Sequence, residues 1–164
     1  MIREIQPNET EKLKGCLEEL AAHHNKVSLH FGGDYPRHPV FETIQRFSED
    51  LANQRSRIAV LEDGQKVIAF CKIDLLEDHG KIDYLIVLEE YRKRACGRTL
   101  MDWAMQKFSE NHISQIEVKA VAGNDAVHFY EKYGFQEDSV ILRYNSRGPA
   151  SVRQSRPDQA ERIK

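Results

Sequence analysis

Residues 91–100 read YRKRACGRTL and follow the apolar run IDYLIVL after only Glu89 and Glu90. Arg92, Lys93, Arg94 and Arg98 surround a lone glycine, Gly97, where a strand-like run gives way to a helical pattern. A turn of that kind aims backbone N–H groups outward. The first-turn amides of the following helix have no intrahelical partner and carry partial positive charge. An anion can sit there, and Gly97 lets a phosphate approach the backbone closely. The chemistry on offer is the holding of a diphosphate. The competing reading is a solvated basic turn that binds nothing, and on this stretch alone it is the stronger one. The dinucleotide fingerprint G-x-G-x-x-G and the P-loop pattern G-x-x-x-x-G-K-[ST] are both missing.

A second segment, NDAVHFYEKYGF at 124–135, shifts the balance. Taken together, the two segments resemble the acyl-CoA site of the GNAT superfamily of N-acetyltransferases. The family's turn runs Q/R-x-x-G-x-G/A, and Arg92-Lys93-Arg94-Ala95-Cys96-Gly97 matches it at Arg92 and Gly97. Ala95 stands where the family usually has glycine, and Glu89 where many members carry proline. Asn124, Ala126, Phe129, Tyr130, Glu131, Gly134 and Phe135 match the family's later segment. The resemblance in order of elements covers about residues 1–144, and the motifs themselves lie within roughly 84–135.

That resemblance implies acetyl-CoA as cosubstrate, no metal, and direct attack by a primary amine of a small molecule or peptide. It assigns the backbone amides of residues 93–98, which include Ala95, Cys96 and Gly97, to the pyrophosphate. Arg92, Lys93, Arg94 and Arg98 are the candidates for side-chain contacts to phosphate. It also implies a splayed strand pair, in which the backbones of Leu85, Ile86, Val87 and Leu88 pair with the pantetheine arm as an added strand would. A backbone N–H in the same stretch would polarise the thioester oxygen; the side chains there read as plain core.

Tyr130 is the residue at the position of the family's acid. A phenol titrates near 10 and a thiol near 8.5, so a neutral tyrosine can protonate a departing thiolate. The alternative is an amphipathic core tyrosine, with Tyr133 as a competitor. Asn124 can cap the helix that follows it or hydrogen-bond the cofactor arm. No motif fixes the base that frees the amine. Asp83, in an otherwise apolar run that is expected to raise its pKa, is preferred to Glu89 and His79; its other reading is a paired structural carboxylate.

These residues need elements to hold them. IREI at 2–5 reads as a short strand. The helix beginning at PNETEK has Asn8 and Glu11 spaced as a capping box, and Leu13, Cys16, Leu17, Leu20 and Ala21 follow helical spacing. Gly32, Gly33, Pro36 and Pro39 break 25–39 into a loop, after which Val40, Ile44, Phe47 and Leu51 mark a second helix. RIAVL at 57–61 and KVIAFCKIDLL at 66–76 flank Asp63-Gly64 as a hairpin, and KIDYLIVL at 81–88 is a strand apolar enough to be covered on both faces. Leu100, Ala104 and Phe108 predict a helix of about four turns. Strands at 115–121 and 139–144 are expected on either side of a short helix at 125–134. Antiparallel hairpins followed by a βαβ crossover predict an α/β (α+β) fold with a mixed central sheet and helices on both faces. The GNAT resemblance adds that the sheet should be mostly antiparallel.

The chain has 164 residues, which suits one domain, with a net charge of −2 and three scattered cysteines. A pI near 6.4 argues against a nucleic-acid binder. No apolar run is long enough to span a membrane, and the N-terminus lacks a signal-peptide core, so a cytoplasmic protein with no membrane partner is expected. The cysteines suggest neither a disulfide framework nor a metal site. Residues 146–164 carry +3, leaving −5 on 1–145, which is expected to form the acetyltransferase-like domain. The tail's composition predicts disorder. His23, His24, His30, Asp34 and Tyr35 favour a polar acceptor pocket over a metal site, with an ordinary exposed loop equally open. Exposed edge strands leave room for a homodimer. The rival functions are a GNAT-fold module that binds acyl-CoA without turning it over, and a protein-interaction domain with a basic turn.

Overall fold

The structure, a computed structural model, describes residues 1–146. The polar tail beyond Ser146, where disorder is expected, lies outside the described residues. The chain forms two compact units, one of Met1–Leu20 with His38–Lys119, the other of Ala21–Arg37 with the residues from Ala120 onward.

The first unit is built on a five-stranded sheet in the order β1 (Ile2–Glu4), β2 (Ser56–Asp63), β3 (Lys66–Leu75), β4 (Gly80–Val87), β5 (Ile116–Val118). The first four strands pair antiparallel, and β4 pairs with β5 in parallel. Asp63-Gly64 makes the expected hairpin turn, with Gly64 at φ +61°. A 3-10 turn at Pro7–Leu13 leads into α1 (Lys14–Val27), and α2 (Val40–Ala52) follows the loop. Leu13, Cys16 and Leu17 join Ile44 and Phe47 of α2 in one buried cluster with Ile58, Val60, Phe70 and Ile86 of the sheet. Ala59, Cys71 and Ile73 alternate to the opposite face and are fully buried. There α3 (Cys96–Glu110) packs on β3 and β4 through the predicted stripe, with Leu100, Met101, Ala104 and Phe108 buried.

Three expectations need correction. The capping box uses Gln6 and Glu9, not Asn8 and Glu11, because Pro7 takes the first helical position and moves the start forward. The strand expected at 115–121 pairs over Ile116–Val118 alone. The strand expected at 139–144 is not formed: Val140, Ile141, Leu142 and Tyr144 are 70%, 59%, 91% and 90% exposed. β-branched residues do not make a strand without a partner for their backbone and a face to bury.

In the second unit α4 (Ala126–Glu131) ends in a turn closed by Gly134, whose φ of +89° suits glycine. Among the described residues, no helix is long and apolar enough to cross a membrane.

Gly80 opens β4 against α3. A Cβ there would lie 2.4 Å from Phe108 Cε1, whereas one on Gly15, inside α1, would meet nothing within 4 Å. Gly80→Ala is therefore expected to cost about 1–3 kcal/mol through overpacking. Gly15→Ala should gain about 0.5–1 kcal/mol from helix propensity. Urea titration of both variants reads the opposite signs.

Candidate active site

The site begins with an interruption of pairing. Strand β4 is eight residues long, but β5 accompanies it only from Gly80 to Ile82. Among the described residues, β4 from Asp83 onward keeps β3 on one side and pairs with no strand on the other. This is the splayed pair expected from the family resemblance, and it brings the backbones of Leu85, Ile86, Val87 and Leu88 to an open margin. Ile86 and Leu88 themselves are buried at 4% exposure each, so their side chains are core, as expected.

The register adds a feature that the strand pattern does not predict. Lys72 lies opposite Tyr84, and the next residue, Ile73, opposite Ile82. In a regular ladder one step on β3 matches one step on β4, so Asp83 is an inserted residue, a β-bulge at the point where β5 falls away. Asp83 accepts a hydrogen bond from Lys72 Nζ at 2.8 Å and faces Lys81 Nζ at 3.1 Å. Burial alone would raise its pKa, but the charge of Lys72 and its hydrogen bond outweigh this and hold the carboxyl below the usual range. The raised pKa expected for Asp83 is thus corrected. A carboxylate held in this way binds a proton weakly at neutral pH. His79 differs: its Nδ1 lies 2.7 Å from Asp78, whose hydrogen bond raises the imidazole's pKa, and its Nε2 lies 3.5 Å from Glu117. The backbone N–H of Glu89 donates to Glu19 Oε1 at 2.6 Å.

Beyond β4, a 3-10 turn at Glu89–Tyr91 leads into the basic loop. Lys93 and Ala95 both have φ near +63°, the left-handed region, and alternation of this kind gathers successive N–H groups into an anion-binding concavity. The first amide after the loop to find a backbone acceptor is that of Thr99, which donates to Ala95 O at 3.0 Å. Among the described residues, the amides of residues 93–98 have no backbone acceptor. Arg92 Nε donates to Val87 O at 3.1 Å and ties the loop back to the strand. The Arg94 guanidinium lies over the Tyr91 ring, 5.4 Å from its centroid, and the Tyr91 hydroxyl donates to Asp63 at 2.8 Å. Lys93 and Arg98 are exposed. The chemistry of the loop suits a diphosphate: its amides at 93–98 lack backbone acceptors, Arg92, Lys93, Arg94 and Arg98 are exposed, and Gly97 and Ala95 carry little bulk. Cys96 is half-buried at the head of α3, while Cys16 and Cys71 are buried, their thiols pushed up in pKa by desolvation, Cys16 to about 12.

In the second unit, Asn124 Oδ1 accepts from Ala126 N at 3.1 Å, an Asx turn just ahead of α4, whose N-cap is Asp125. Tyr130 is 8% exposed, with Phe129 and Phe135 edge-on at 5.5 and 5.9 Å. Asn25, a residue that sequence reasoning passed over, organises the loop after α1. Its side chain accepts from the N–H groups of Gly33 and Tyr35 at 2.8 and 2.9 Å and donates to Tyr35 O at 2.7 Å. Tyr35 meets His24 edge-on at 5.1 Å and carries Arg37 4.7 Å above its ring. Burial, then the charges of His23 and Arg37, lower the His24 pKa to about 4. Among the described residues, no three His, Cys, Asp or Glu side chains are grouped to hold a metal ion.

The Acetyltransferase (GNAT) domain family matches residues 54–137, half of the chain, and the chain belongs to that family. Its fold is shared by a predicted acetyltransferase from Clostridium acetobutylicum solved with acetyl-CoA, at a TM-score of 0.71 and 19% identity over 88% of this chain and 95% of the other. It is also shared by a ribosomal-protein-alanine N-acetyltransferase from Brucella melitensis biovar Abortus 2308, at a TM-score of 0.67 and 16% identity over 88% and 98%. A GCN5-related N-acetyltransferase from Ralstonia eutropha JMP134 gives 0.70 and 18% over 89% and 98%. No curated protein matches the chain in sequence.

Two outcomes follow from these environments. Ala95 holds a left-handed conformation that costs an L-residue about 1–2 kcal/mol. Part of that gain is offset by the greater chain entropy of unfolded glycine, so Ala95→Gly should stabilise the protein by about 0.5–1 kcal/mol, read from the urea midpoint. His24 has a folded pKa below its unfolded value of 6.5. Its contribution is therefore complete above that value and is lost as pH falls toward 4. Between pH 7 and 4.5 the loss should be about 2 kcal/mol, and His24→Phe should remove that part of the slope in denaturation curves taken across the range.

Proposed function

We propose that the protein transfers an acetyl group from acetyl-CoA to a primary amine of a small molecule or peptide, by direct attack. The observation that carries this reading is the open margin of β4 beyond Ile82, leading into a basic loop whose amides at 93–98 have no backbone acceptor. The loop amides and the cations around them hold the diphosphate. The margin at Leu85–Leu88 pairs with the amide groups of the pantetheine arm, as an added strand would. One of its N–H groups polarises the thioester carbonyl, where negative charge develops in the transition state.

The neutral amine nitrogen forms the new C–N bond and gives up one proton to solvent, the C–S bond breaks, and the departing thiolate takes the Tyr130 hydroxyl proton. Tyrosine, with a reference pKa above that of a thiol, regains its proton from solvent. Attack requires the neutral amine, so turnover should rise with pH through the acceptor's own pKa. Asp83, held ionised by its lysines, is a weak candidate for the proton acceptor. Its contribution is argued below on geometry.

Acetyl-CoA and CoA, but not NADP, should raise the melting temperature. At a hundredfold excess over Kd the stabilisation is about 2.7 kcal/mol, a shift of roughly 5–10 °C for a chain of this size. Thiol release should then appear with an acceptor from a panel of a polyamine, an amino acid and an alanine-terminated peptide; the last is suggested by the Brucella relative. Tyr130→Phe should lower kcat about a hundredfold and leave the acetyl-CoA Kd unchanged. Full turnover by that variant removes the acid from Tyr130, and cofactor binding without product across the panel favours a binding module.

A further inference from the structure

Lys72 stands in the middle of β3, in a run of buried residues from Val67 to Ile73, and its side chain is 1% exposed. An ammonium taken out of water needs an acceptor for each of its three N–H groups. Three carboxylates surround it: Asp83 at 2.8 Å, Asp50 at 3.3 Å and Asp74, which also accepts from Ser56 Oγ. The Phe47 ring covers it, with its centroid 5.1 Å from Nζ. Lys81 at Asp83 and Arg55 at Asp50 balance the remaining charge. The ammonium donates to Asp74 and Asp83 and forms an ion pair with Asp50.

The cluster has a definite place in the fold. Asp83 is the inserted residue of the β4 bulge, Lys72 is the β3 residue beside the register break, and Asp50 lies on α2. An unclamped bulge could slip by one residue, which would turn every later side chain of β4 to the other face and exchange which backbone groups point to the open margin. We infer that Lys72 is a positioning residue: its ion pair with Asp83 locks the β4 bulge in register, so that Leu85–Leu88 present one fixed set of backbone donors and acceptors to the acyl-CoA arm. This rests on the acyl-CoA reading of the site. It gives Asp83 a geometric part that needs no proton transfer.

The test compares wild type with Lys72→Met, Asp83→Asn and, as a control for general destabilisation, Trp103→Ala, which removes a half-buried ring bonded to Glu4 of β1, at the opposite edge of the sheet from β4 and β5. Acetyl-CoA binding by calorimetry well below each melting temperature is read beside amide hydrogen exchange of the unliganded proteins. Lys72→Met and Asp83→Asn should each weaken acetyl-CoA binding about tenfold or more, since small misplacements of binding groups carry penalties of that size. Exchange should quicken at 83–88 and stay unchanged at 58–60 in β2. Trp103→Ala should lower the melting temperature with Kd unchanged. A wild-type Kd and wild-type exchange at 83–88 in the Lys72 and Asp83 variants, whatever their melting temperatures, would overturn the inference. Where Lys72→Met does not fold, Asp83→Asn decides alone, because it leaves the lysine two carboxylates. A wild type that does not bind acetyl-CoA overturns the acyl-CoA reading instead, and the exchange contrast at 83–88 still decides whether the ion pair holds the bulge.

Discussion

Backbone N–H and C=O groups withdrawn from water must find partners, and the second half of β4 is where this sheet leaves that requirement open. β5 is held at one end, where Gly80 N donates to Gln115 O at 2.8 Å and the lack of a Cβ on Gly80 lets the Phe108 ring lie against the backbone. Three residue pairs later the strands part. The bulge at Asp83 falls at that point, and a bulge bends and twists its strand more strongly than regular pairing does. Two local features, a glycine that seats α3 against the start of β4 and an insertion that turns the strand away, thus accompany an edge inside the sheet. Edges of this kind recruit extended partners, and a pantetheine arm with its two amides is such a partner.

The basic loop extends the same logic from strand to helix. It pays for its geometry with two residues in the left-handed region, Lys93 and Ala95, neither of them glycine. Strain in a loop persists where its surroundings fix it. Here Arg92 bonds back to Val87 O, Arg94 rests on Tyr91, and Tyr91 is anchored to Asp63 in the β2–β3 turn. The cations are therefore not equivalent. Arg92 and Arg94 are partly committed to shaping the loop, which leaves the exposed Lys93 and Arg98 freer to meet phosphate.

How much of this was legible depended on whether the signal was local. The Asp63-Gly64 hairpin, the α3 stripe of Leu100, Ala104 and Phe108, and the turn at Gly134 could all be read because turn chemistry and helical spacing act within a few residues. The parting of β4 and β5 left no periodic trace and came into view only through the family resemblance of the two motifs. The length of β5 and the state of 139–144 depend on pairing partners, and β propensity in SVILRY does not encode them. Asp83 was misjudged electrostatically because the charge that decides its pKa belongs to Lys72, eleven positions earlier and on the neighbouring strand. The one local hint was Lys72 itself, a lysine in the apolar run VIAFCKI.

That lysine also shows why a buried charge can persist in a core that hydrophobic residues would fill at lower cost. A leucine at 72 would bury apolar area without desolvating an ammonium, and buried ion pairs are commonly no more stabilising than well-packed apolar replacements. A hydrophobic contact, however, is non-directional and tolerates a slipped strand, whereas an ammonium hydrogen-bonded to two carboxylates and paired with a third depends on where those groups stand. At a bulge, where the ladder no longer specifies register, that selectivity is the missing constraint. The inferred register role would account for the position of the cluster, at the residue where β4 loses one neighbour and before the stretch assigned to the acyl-CoA arm, without any gain in stability.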